Sequence, residues 1–179
     1  LWDDAITRRD NREAWYRPYV TIENVPLKNG PKVDNVAYGT YLGTNSPVKH
    51  LKKGWDASWG VFVGYNGSKQ SYTGADLRQN GATLGFVGEL YKKNFFAGLS
   101  INAGASMGKA DTMYGTDDFN SFAGGVASKT GYNFEFKNGR YILQPTLLLG
   151  YSFIKTMDFT NSAGVKITSE PIHSIHVEP

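Results

Sequence analysis

From Phe95 to Met107 the chain changes character at every residue. Phe95, Ala97, Leu99, Ile101, Ala103, Ala105 and Met107 fall on one side; Phe96, Gly98, Ser100, Asn102, Gly104 and Ser106 fall on the other. A period of two is the mark of a β-strand with one apolar face. The second face decides which kind of strand. It carries glycine and small polar groups, neither core material nor an ordinary charged solvent face. That combination fits the wall of a barrel whose apolar side meets lipid and whose small-residue side meets a wet interior.

The rest of the chain repeats the pattern. Eight strand candidates run over 15–24, 35–44, 55–66, 81–92, 95–107, 122–136, 140–154 and from Ile172 to the end at Pro179. At 10–15 residues, the fully bounded runs match or exceed the roughly 9–11 that a tilted transmembrane strand needs. Their connections alternate. Lys92-Lys93-Asn94 and Lys137-Asn138-Gly139 predict tight hairpin turns. The polar stretches 25–34, 67–80, 108–121 and 155–171 predict long loops, with 45–54 intermediate. Short turns at one end and long loops at the other are the habit of outer-membrane barrels. The expected fold is therefore all-β, an antiparallel up-and-down transmembrane barrel over residues 15–179.

Alternation also assigns faces. Leu84, Phe86, Leu99, Ile101, Val126, Leu147 and Leu149 are expected to face lipid. Tyr65, Tyr91, Phe95, Phe136, Tyr141 and Phe153 lie toward strand ends, where aromatic rings form interfacial girdles. Arg17, Glu23, Glu89, Lys129 and Glu135 fall among the small residues and are expected to line the lumen. Buried there, they need water or opposite charges as partners. One source of partners is the segment 3–14, dense in charge and with only Ala5 and Ile6 apolar before its final alanine. It has no stripe with which to dock on a core. It is expected either to fray in solvent or to form a linker helix (residues 1–14) inside the pore.

Other function classes find little support. No run approaches the roughly 18–20 apolar residues of a membrane-spanning helix, and a mean hydropathy of -0.39 does not argue against spanning strands. The net charge of +3 is spread over turns without a basic stripe, so no nucleic-acid partner is expected. Zero cysteines exclude a disulfide framework or thiolate metal site. No leader precedes Leu1, which suggests a processed chain or an internal fragment. Gly104-Ala-Ser-Met-Gly108-Lys109-Ala110 lacks the spacing and the hydroxyl of a phosphate-binding loop. His173 and His176 point to opposite faces of one strand, His50 is remote, and Asp111, Asp117 and Asp118 do not follow a calcium-loop pattern. Neither a metal, a cofactor nor an enzymatic activity is expected.

The opening Trp15-Tyr16-Arg17-Pro18-Tyr19, the spacing of Gly85 and Gly88 before Tyr91 and a hairpin, and Gln144-Pro145 followed by Leu149-Gly150-Tyr151-Ser152 resemble the translocator domain of autotransporters. The resemblance implies a twelve-stranded barrel in the Gram-negative outer membrane, threaded by a helix. Such a barrel anchors an N-terminal passenger and helps export it, and is inserted by the outer-membrane barrel assembly machinery. Some members cleave their linker at an asparagine in the pore helix; Asn11 is the only one before the first strand, and nothing else marks it. The family's terminal aromatic residue is absent at Pro179, so the expectation is that about eight of the twelve strands are present. A porin-like channel and a soluble all-β binding module are the alternative readings.

Overall fold

Alternating residues build strands here because every second side chain has somewhere different to go. The computed structural model describes residues 14–25, 33–136 and 141–179. Its elements are β1 (Ala14–Val25), β2 (Val33–Asn45), β3 (Lys49–His50), β4 (Asp56–Tyr72), β5 (Ala75–Lys92), β6 (Phe95–Thr112) and β7 (Gly115–Tyr132). After these come β8 (Phe134–Phe136), β9 (Tyr141–Leu143), β10 (Thr146–Thr156), β11 (Phe159–Thr160), β12 (Lys166–Ile167) and β13 (Ile172–Glu178). One antiparallel sheet has the order β1-β2-β4-β5-β6-β7-β10-β13, with β3 attached to β4. Apart from the short elements β3, β8–β9 and β11–β12 that fall between them, neighbours in that sheet follow one another in sequence, the order of an up-and-down barrel wall. Its two edges among the described residues are β1 and β13.

The two faces differ sharply. Glycines aside, every buried residue among those described, from Ser58 and Phe62 through Glu89, Ser100 and Ala127 to Leu148, lies on the small-residue face. A sheet crowded on one side and open on the other curves toward the crowded side, so this is the inner face. Ser100 is 2% exposed while its neighbour Leu99 is 46% exposed. Leu84, Phe86, Ile101, Val126, Leu147 and Leu149 share the exposed outer face with Leu99.

Two expectations about connections change. The polar stretches 67–80 and 108–121 are not loops. β4 and β5 continue through the first and turn at Thr73-Gly74; β6 and β7 continue through the second and turn at Met113-Tyr114. Gly74 takes φ 88, a conformation that glycine reaches without steric cost. Polarity misleads there because these strand ends carry polar side chains on both faces. The ladder of backbone hydrogen bonds, rather than an apolar face, keeps them extended. The expected strand 122–136 is likewise interrupted. Its ladder with β10 stops at Gly131 opposite Thr146, next to Pro145, which has no N–H to give. The Asn133 N–H turns instead to the Asn94 carbonyl at 2.9 Å, and β8 and β9 pair as a separate small hairpin. The join 155–171 contains the hairpin β11–β12.

Aromatic rings on the inner face sit on glycines of the neighbouring strand. Phe62 covers Gly85, and a Cβ at Gly85 would lie 2.1 Å from the ring; Phe96 covers Gly131 in the same way, at 2.4 Å. The glycines are therefore sockets. Gly85→Val should displace Phe62 and cost about 1–3 kcal/mol by overpacking, measured as a lower urea midpoint in lipid vesicles. An unchanged midpoint would mean that the ring has other room.

Candidate functional site

The inner wall gathers the buried polar groups of the sheet, and its chemistry follows from strand register. Ser58, Glu89, Gly98, Lys129 and Leu148 lie side by side in one row across five strands. Glu89 is 4% exposed. Its Oε2 accepts the Ser58 hydroxyl at 2.8 Å and the Tyr91 hydroxyl at 2.5 Å, while its Oε1 is buried without a hydrogen-bond partner among the described residues. Lys129 is buried one strand beyond Gly98, in the same inner row. Two ionisable groups thus face the interior at one level, near the Lys93-Asn94 turn.

The other expected lumen charges do not join this row. Arg17 pairs with Tyr41 in register, six residues along β4 from the level of Ser58. A rise near 3.4 Å per residue places it roughly 20 Å away. Glu23 stands at the far end of β1, where its Oε2 accepts the Asn35 amide at 3.2 Å. Glu135 is exposed in the separate β8–β9 hairpin, opposite Ile142, and so lies outside the inner rows. Phe136 and Tyr141 pair in that hairpin too, away from the main sheet.

Tyr91 is a clear correction. It is expected among the interfacial rings, yet it is 7% exposed and occupies the inner face. The reason is parity: two residues from Glu89 on one strand means the same side. Position near a turn had outweighed periodicity in that assignment. Tyr65, Phe95 and Phe153 do lie on the outer face, with Phe95 edge-on to Trp55 at 6.3 Å and Phe153 tilted against Phe122 at 5.8 Å.

The inner face also holds more bulk than a small-residue lining. Phe62 packs against Trp15 and Tyr41 with centroids 6.3 and 6.1 Å apart, and Tyr19 stacks on Tyr41 at 5.6 Å. All four rings lie inside, where Gly39, Gly43, Gly64 and Gly85 receive them. Ser58, Tyr91 and these rings are the interior residues that periodicity could have identified but end-of-strand reasoning did not. Glu89 is engaged by two hydroxyls, and among the described residues no group of His, Asp or Glu gathers as metal ligands. Residues 3–13, including Asn11, and the turn Lys137-Asn138-Gly139 lie outside the described residues.

Comparison with known proteins agrees with this architecture. The family model described as the autotransporter beta-domain matches residues 15–178. The crystal structure of the beta domain of the Bordetella autotransporter BrkA superposes with a TM-score of 0.75 at 15% identity, covering 94% of this chain and 69% of that one. At that identity the likeness speaks for the fold. A search of curated proteins gives no match. The matched span takes in the whole sheet from Trp15 to Glu178, and the chain belongs to the autotransporter β-domain family.

Proposed function

We propose that the chain works in the bacterial outer membrane with its outer face in lipid and its inner face lining a pore. As an autotransporter translocator domain it anchors an N-terminal passenger and helps export it across that membrane. The observation that carries the lipid assignment is the exposure of Leu84, Phe86, Leu99, Ile101, Val126, Leu147 and Leu149 on one face while Ser100 and Glu89 are buried on the other. A soluble β module would hide the first set and wet the second. So broad an exposed apolar surface marks a membrane contact. The polar ends of β4–β7 rise beyond the apolar band at the Thr73-Gly74 and Met113-Tyr114 turns. That asymmetry favours placing those turns at the cell surface and Lys93-Asn94 in the periplasm.

In this reading Glu89, Lys129 and Arg17 face the lumen, and the segment before β1, residues 1–13, runs through it as a helix. The unpartnered Glu89 Oε1 supports a donor arriving from the pore, and the segment brings Arg8, Arg9 and Arg12. Opposite charges at close range in a partly dry channel would hold a helix that frays in free solution. The barrel assembly machinery is the partner for insertion, and the domain acts without catalysis of its own. Removing residues 1–12 from the complete barrel should raise its conductance in planar bilayers severalfold. Unchanged conductance, with rapid proteolysis of the segment in the intact protein, would place it outside. A protein that neither conducts nor associates with vesicles would overturn the membrane reading itself.

A further inference from the structure

Three cations stand side by side on the outer face, just beyond the apolar band. Lys69 is opposite Arg78, and Arg78 is opposite Lys109, on three adjacent strands. All three are exposed. Like charges placed directly across a ladder repel, and little here offsets them. Lys109 reaches Asp118 at 3.5 Å, an exposed pair, whereas Lys69 and Arg78 make no ion pair or side-chain hydrogen bond among the described residues. In the next outward row toward the turns, Asp76 and Asp111 each accept a hydroxyl, from Ser71 and Thr116 respectively, at 2.6 Å.

On the other side of the cations the surface turns apolar and hollow. Tyr65, Ala82, Ala105 and Phe122 form one row across four strands. With Met107 and Phe153 they line a groove of about 1200 Å³, larger than the roughly 300–1,000 Å³ of small-molecule clefts. Tyr65 and Phe122 flank the two alanines, and beyond Phe122 the charged residues Lys155 and Asp158 bound the groove. Asn80, fixed by the Tyr65 hydroxyl at 2.6 Å, lies between groove and cations, two residues or about 7 Å below Arg78.

An apolar trough topped by a cationic shelf fits an amphiphile with an anionic head. We propose that this surface binds a phosphorylated, multiply acylated glycolipid of the outer leaflet, of the lipid A class. Acyl chains occupy the groove and phosphates meet Lys69, Arg78 and Lys109. The row spans two strand spacings, about 10 Å, wider than one phosphate and suited to a headgroup with two. Arg78 offers the paired N–H groups that match a phosphate in two-point contact. The inference rests on the outer face lying in lipid, with the Thr73-Gly74 turn at the cell surface.

The test uses the full natural protein carrying this chain, extracted from outer membranes in mild detergent, with bound lipid A counted by native mass spectrometry. The double variant K69E/R78E should lose about tenfold in lipid A occupancy. K52E/K53E, the same charge change at the opposite rim, should lose none. Ala82→Trp, which fills the groove and spares the cations, should lower occupancy as well. Equal occupancy in wild type and K69E/R78E overturns the site, as does full displacement of lipid A by equimolar phosphatidylglycerol. If all variants are folded membrane barrels in those experiments, the translocator reading stands and only the lipid site fails. A wild-type protein absent from the membrane fraction overturns both.

Discussion

Leu99→Arg should lower the stability of the barrel in bilayers by about 2–4 kcal/mol, the cost of a cation on the lipid face near the midplane. Leu99 and Ile101 straddle the middle of the outer band that runs from Phe95 to Phe122. The informative control lies inside. Periodicity alone would nominate Ser100, but its 2% exposure, between Val87 and Ala127, leaves no room for a longer side chain. Asn102 is only half-buried and faces Gly125 on one side, although Phe62 covers Gly85 on the other, so Asn102→Arg should cost clearly less than Leu99→Arg. Refolding into vesicles along a urea gradient compares the two. Equal penalties would contradict the assignment of faces.

Phe62→Ala should cost about as much from the opposite side of the wall, near 3 kcal/mol, the low end for deleting a buried aromatic. Phe62 is 3% exposed, touches Trp15 and Tyr41, and fills the socket over Gly85. A wet lumen can flood part of the vacancy, which is why the low end applies. The same vesicle titration measures it. A loss under 1 kcal/mol would show that the interior ring cluster is ornamental and that the ladder alone sets stability.

Sequence periodicity was most informative where one face meets oil and the other does not. Phe95–Met107 announced its faces residue by residue, and β6 bears them out. It was least informative where both faces are wet: Ser68, Lys69, Gln70, Asp76 and Arg78 read as loop, yet they are strand because neighbouring strands hold their backbones. Hydrogen bonding to a neighbour leaves no trace in the hydropathy of a segment. Asn133 and Pro145 form a break that only the missing proline donor could have signalled, and Glu135 was carried across it to the wrong company. For the inner wall, Glu89 and Lys129 were legible as odd charges on a small-residue face. Parity alone puts Ser58 and Tyr91 on that face too; what it could not tell is that Ser58 stands beside Glu89, because register is a relation between strands.

Register itself is where the rings on glycine matter most. A slip of one residue would turn a strand inside out, and lipid forbids it. A slip of two keeps every side chain on its own face, so polarity cannot prevent it. The sockets can. Moved by two, Phe62 would meet Thr83 or Val87 in place of Gly85, and Phe96 would meet Lys129 or Asn133 in place of Gly131. Near the other rim, Phe119 would leave Gly108 for Ser106 or Ala110. Each two-residue slip changes the shear of the wall, and shear with strand number sets strand tilt and barrel diameter. A handful of bare Cα atoms therefore gauges the bore that this wall can enclose.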